Sequence, residues 1–501
     1  MSTAVKDQLW RLVKSLNKAE KRNFKIFATR AGGTAESKFV LLFNSLDKAT
    51  ELDDALVMRR LKLSPGKYSN LKRHLYQELL KSLRLIHIDK EIDIELREQI
   101  DFSRILYGKG HYLDALRTLE RAKAKAIEHN QDLLHLEILE FQKLIEARHV
   151  TLSRQVTDKM DILLNESAEK SHSILTTSEL LNMNIQIHGR YIERGHGRTP
   201  NEIAQTKEFW ADIQTARVTS ATARSTFHQQ VNRLQAGMWY QYIQLNFEES
   251  LEAAQSAVTL FTLSRQMTVK DPDLYLRCLY YVTVFAYLTE QPTVIRKYRA
   301  RLSAFLEDDK VKFNENSLRI GVVYRKLSRY NELFQAGRLA EAYAFSQRVA
   351  ADYQSGVFVP AEHRWGLFLY KSAAAAFLVS RYSDAIDDLN DIVNMKTGTH
   401  REDLLISTKL LHALCNYQME HYSLVDYHLT SLARLLRRSR ETAELHRLMV
   451  AGLRKLISLP VAERAPVFAR LTAQIDALRA DPFERKALTY LEVGYWLSLH
   501  E

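Results

Sequence analysis

Sixteen glycines and eight prolines are all that interrupt a chain of 501 residues. Average usage would place roughly 60 of the two together in a chain this long. They are the strongest breakers of regular structure, so their shortage dictates long uninterrupted elements. No run of alternating β-branched residues accompanies it, and apolar positions recur at spacings of three and four. The sequence therefore predicts an all-α protein. At 501 residues the chain exceeds what one compact core supports, which leaves several domains or one extended stack of helices. Hydrophobic residues at 46% against 26% charged exclude a disordered chain.

Charge is unevenly placed. Residues 1–90 hold 19 Lys and Arg against 9 Asp and Glu, so nearly all of the net +11 sits there. A basic domain over residues 1–92 is followed by a near-neutral body. Five helices are expected in it, with Asn17-Lys-Ala-Glu20 as a capping box. The fourth and fifth flank the turn Lys62-Leu-Ser-Pro-Gly66, an outline shared with DNA-binding helix-turn-helix units. In such a unit Arg59, Arg60, Lys67, Lys72 and Arg73 would meet phosphates.

The body reads as helices of 16–22 residues separated by caps at Thr199-Pro-Asn-Glu202, Asp271-Pro272, Thr399-His-Arg-Glu402 and Asp481-Pro482. Its clearest unit is Tyr107–Ala122, a helix end, a tight turn at Gly110 and a new helix. Tyr112, Ala115, Leu119 and Ala122 form one apolar stripe, with a small residue at Ala115 that admits a partner helix closely. Comparable anchors stand at Phe247, Leu339, Tyr382 and Tyr422, and three residues after them come Ser250, Ala342, Ala385 and Val425. The anchor separations of 135, 92, 43 and 40 leave room for diverged units near residues 157, 202 and 292. A lone helix pair cannot bury both faces, so successive pairs must stack into a continuous core that curves into a groove. Three further helices, over 441–501, are expected to cap the stack.

At Gly110, Tyr112, Ala115 and Ala122, and again at Gly337 with Ala342 and Tyr382 with Ala385, the chain resembles the tetratricopeptide superfamily. The period is longer than that family's roughly 34 residues, and the Pro that closes its units is absent. The resemblance implies a right-handed α-solenoid of antiparallel helix pairs over residues 93–440. It also implies a concave face that binds a peptide or protein segment. On the first unit Arg97, Arg104 and Tyr107 would line that groove.

Catalytic signatures are missing. There is no GxxxxGK[ST], GxGxxG, HExxH, CxxC or GxSxG. Cys278 and Cys415 lie singly in apolar runs and read as core residues, and no metal is expected. His421 and His428 can share a helix face but lack a third ligand. The adjacent acids Asp387 and Asp388 read as solvated. No stretch approaches the ~20 apolar residues of a membrane span, and the N-terminus lacks an apolar signal core, so a cytoplasmic protein with no membrane partner is expected. Two functions fit. One is a non-enzymatic, cofactor-free scaffold that binds a peptide or protein in the groove. The other is a regulator whose basic domain, residues 1–90, contacts nucleic acid while the solenoid senses a partner.

Overall fold

The computed structural model describes residues 2–30, 38–88, 90–149, 159–217, 225–395, 402–439, 442–490 and 493–500. Among them every regular element is a helix. The chain divides into two compact units, Met1–Ile174 and Leu175–Glu501, and the charge boundary near residue 92 lies inside the first.

The first unit begins with the five expected helices: α1 (Ser2–Ser15), α2 (Lys18–Arg30), α3 (Lys38–Lys48), α4 (Asp54–Leu61) and α5 (Pro65–His87). The capping box at Asn17 and Glu20 forms, each side chain accepting the other's backbone N–H at 3.0 and 2.9 Å. Val13, Phe24, Phe43, Leu46, Leu75 and Leu79 make a shared core. Next come α6 (Ile92–Gly108), α7 (Tyr112–Glu128) and α8 (Asp132–His149), which bury Leu96, Ala115, Leu119, Ala122 and Ile138 together. The division between units falls within α9 (Lys159–Arg194). At 36 residues α9 is far longer than expected, because no Gly or Pro stands between Lys159 and His188.

In the second unit α10 (Pro200–Arg217) starts with the Thr199–Glu202 capping box. Then follow α11 (Phe227–Ile243), α12 (Phe247–Leu263), the short α13 (Gln266–Lys270), α14 (Pro272–Leu288) and α15 (Pro292–Leu306). Three more pairs are α16 (Glu315–Gln335) with α17 (Leu339–Gln354), α18 (Glu362–Leu378) with α19 (Tyr382–Asn394), and α20 (Glu402–Gln418) with α21 (Tyr422–Leu436). Consecutive helices of this run pack on one another around two large apolar clusters. Both cysteines are buried in it. Among the described residues of the C-terminal part, the α-helices are α22 (Glu444–Ser458), α23 (Ala465–Leu478), α24 (Pro482–Tyr490) and α25 (Val493–Ser498), the last two within the span of the expected final helix. Trp496 is fully buried against Tyr417 and Phe468.

One turn recurs throughout. After α6, Gly110 takes the left-handed conformation; its N–H donates to Tyr107 O at 2.9 Å and that of His111 to Leu106 O at 3.0 Å. These two bonds satisfy carbonyls at the end of α6, the pattern of a Schellman motif. The same pair forms at Lys62 and Leu63, Asn130 and Gln131, Leu245 and Asn246, Glu290 and Gln291, Gly337 and Arg338, Ser380 and Arg381, and Glu420 and His421. The first residue of each has φ between 52° and 84°. After Lys62 and Asn130 the next helices start at Pro65 and Asp132, with Tyr68 and His135 buried three residues on; in the other six the next helix starts at Tyr112, Phe247, Pro292, Leu339, Tyr382 or Tyr422. Three residues on, Ala115, Ser250, Ile295, Ala342, Ala385 and Val425 are all 0% exposed.

Five of these starts are the anchors legible in the sequence, and Pro292 occupies the gap left near residue 292. The gap near 202 is filled differently, by the side-chain cap of α10. The gap near 157 and the Thr399 capping box lie outside the described residues.

Candidate binding surfaces

In the first unit a cleft of about 520 Å³ is lined by Arg84, Asp93, Arg97, Asp101 and Glu137, among others. Arg97 is exposed in it and makes no ion pair with a described residue. Arg104, about two turns along α6, reaches Glu137 at 3.1 Å and lies 5.1 Å from the Phe141 ring. Arg84 similarly meets Asp101 at 3.3 Å. Both pairs are solvent-exposed, worth less than about 1 kcal/mol each, and readily exchanged for a ligand's charges. Tyr107 serves packing instead. Its ring lies 5.6 Å from Tyr112 and 5.8 Å from Phe141, and its hydroxyl accepts from Arg148. Arg97 thus lines the cleft and Arg104 pairs with Glu137 of its wall, whereas Tyr107 packs beside the turn.

The basic surface lies on α4 and α5. Arg59 and Arg60 occupy the last turn of α4, where cations favour the C-terminal dipole. They and Lys67 are exposed and make no ion pair with a described residue. Lys72 is different: it is held at 3.1 Å by Asp54, which also accepts from the Tyr68 hydroxyl at 2.8 Å. Arg73 donates to Asn70 at 3.3 Å.

The second unit contains a larger cleft, about 940 Å³, that no motif in the sequence marks. Arg190 and Arg194 at the end of α9, Arg198 in the following connection and Arg447 on α22 all line it. Phe483 of α24 completes one wall, 6.1 Å from the His196 ring and 4.2 Å from the Arg198 guanidinium. His196 is itself buried, with Nδ1 2.9 Å from Tyr242 O. The arginine spacing in Arg190-Tyr-Ile-Glu-Arg194 is visible in the sequence. Its convergence with residues some 250 positions later is not.

Other candidates resolve as structure. His428 stacks on His412 at 4.0 Å, and burial with the neighbouring His412 holds its pKa down at about 4. His421 belongs to a recurring turn. No group of three metal-binding side chains occurs among the described residues. Asp387 is exposed as expected, but Asp388 is half-buried beside Ser372, and burial pushes its carboxyl up to about 6. No described helix is long and apolar enough to cross a membrane. Neither a family model nor a curated protein matches the chain.

Proposed function

We propose that the chain is a non-enzymatic interaction scaffold. The helix pairs between residues 93 and 440 act as tetratricopeptide-like repeats, a right-handed solenoid of antiparallel pairs whose groove grips a peptide or protein segment. The observation that carries this reading is the recurring turn, in which one backbone geometry and one fully buried position open six helices. Stacked pairs of this kind build a large surface with little chemistry of its own, which suits recognition rather than catalysis. On the first unit the exposed Arg97 and Arg104 are the contacts to an acidic stretch of the partner. Affinity purification of the full chain from nuclease-treated native lysate tests this. A specific protein should be recovered and lost with Arg97→Glu/Arg104→Glu; recovery of none, or recovery indifferent to the double variant, contradicts the assignment.

A second reading, a regulator that touches nucleic acid, draws on Arg59, Arg60 and Lys67, which are exposed and uncompensated by acids. Counterion release then makes binding fall steeply with salt. A gel-shift titration between about 50 and 200 mM salt should show that slope, flattened in Arg59→Ala/Arg60→Ala/Lys67→Ala. No shift at the lowest salt removes this reading.

A further inference from the structure

We propose that the arginine-lined cleft of the second unit binds a small molecule carrying two or more phosphate groups. Three walls of different origin supply the cations: Arg190 and Arg194 one turn apart on α9, Arg198 in the connection after it, and Arg447 on α22. A planar carboxylate offers its acceptors in one plane, whereas tetrahedral phosphate groups offer oxygens in several directions and higher charge, matching guanidinium forks that approach from separate sides. The volume, about 940 Å³, is that of a small-molecule site.

The acids on the same walls are already engaged by backbone donors. Glu202 accepts the N–H groups of Arg198 and Thr199, both at 3.0 Å. Burial alone would raise its pKa, but these bonds, with the Thr199 hydroxyl and the Arg198 charge, outweigh it and hold the carboxyl low. Glu484 accepts from the N–H groups of Glu444 and Leu445 at 2.7 and 2.9 Å, at the start of α22. Asp481 accepts those of Phe483 and Glu484. Three of the cations, Arg190, Arg194 and Arg447, are held more loosely. Arg194 makes no ion pair with a described residue, and Arg190 donates only a long 3.3 Å bond to the Thr206 hydroxyl while stacking on Phe209. Burial and the adjacent Arg194 charge lower the Arg190 pKa, with Glu193 acting the other way, as expected for two cations held side by side. Arg447 has an exposed partner, Glu444 at 3.2 Å, of the kind a ligand displaces.

Calorimetric titration of the full chain with inorganic tripolyphosphate tests the assignment. One molecule should bind per chain, and Arg194→Ala should weaken it about 10-fold, with Arg190→Ala/Arg194→Ala weakening it further. Far-UV circular dichroism of both variants should match the parent. Arg59→Ala/Arg60→Ala/Lys67→Ala, on the other basic surface, should leave the titration unchanged, and citrate should bind at least about 10-fold more weakly than tripolyphosphate. Absence of binding, loss in the α4–α5 variant in place of the cleft variants, or equal binding of citrate overturns the assignment. Tighter binding of a doubly phosphorylated serine peptide than of tripolyphosphate overturns the small-molecule part of it.

Discussion

The turn at Gly110 and the turn at Glu420 carry the same two hydrogen bonds, yet only the first has the residue that such a turn favours. Gly110 and Gly337 adopt the left-handed backbone without steric cost. Leu245, Glu290, Ser380 and Glu420 adopt it against a penalty of about 1 kcal/mol each. The difference teaches what fixes the geometry. Glycine eases the turn but does not define it; the shared feature is the fully buried side chain three residues into the next helix, which docks that helix on its predecessor. That position accepts Ala, Ser, Val or Ile according to the room its neighbours leave.

The buried position should therefore carry the largest effects, and with opposite size rules in different pairs. Ile295→Ala should destabilise the second unit by about 3 kcal/mol through the cavity it leaves. Ala385→Leu should cost about 2 kcal/mol by overpacking. Chemical denaturation measures both, and tolerance of either substitution would break the equivalence of the six starts.

Next in size is a contrast in acid sensitivity. The six turns are closed by backbone groups, whereas α22 starts with His446 Nδ1 accepting the Ala443 N–H at 3.0 Å. Burial, reinforced by the Arg198 and Lys486 charges, depresses the His446 pKa to about 4. Between that value and the ordinary one near 6.5 the unfolded chain binds the proton and the folded chain does not, so this group's contribution falls as pH drops through that window. It is fully present above about pH 6.5, and the loss reaches about 3 kcal/mol by pH 4. In His446→Gln, whose amide can reach back to the same N–H, that part of the acid destabilisation should vanish in thermal melts across pH 4–7. An unchanged pH profile would deny His446 the role.

The smallest effects lie in the turns themselves. No heavy atom stands within 4 Å of where a Cβ would project at Gly110 or Gly337. Ala there should cost about 1 kcal/mol of backbone strain alone. Ser380→Gly and Glu420→Gly should gain a few tenths, since relief of strain is offset by a freer unfolded chain. Equal penalties in both directions would show that the turns are not equivalent.

The same comparison explains what the sequence made legible. Tyr112 with Ala115 was readable because Gly110 announced the turn. The start at Pro292 was readable only as a gap in spacing, since Glu290 is no breaker and Ile295 is not small. The length of α9 escaped the expected 16–22 residues because helix ends were inferred from breakers and caps, and no Gly or Pro stands between Lys159 and His188 while the Thr176-Thr-Ser-Glu179 cap pattern is absorbed into the helix. Of the candidate groove residues, Arg97 lines the cleft and Arg104 pairs with Glu137 of its wall. Tyr107 does neither, because its ring is taken up by Tyr112 and Phe141. Lys72 drops from the basic set because Asp54 was distant in sequence but adjacent in space. The arginine cleft was invisible for the same reason on a larger scale: Arg194 and Arg447 are brought together only by the fold.

Residue-resolved amide hydrogen exchange on the intact chain reads the closure of each turn. If the six turns are one repeated device, the amides of His111, Asn246, Gln291, Arg338, Arg381 and His421 should all be protected, those after non-glycine residues as much as those after glycine. Protection at His111 and Arg338 with fast exchange at Gln291, Arg381 and His421 would contradict it.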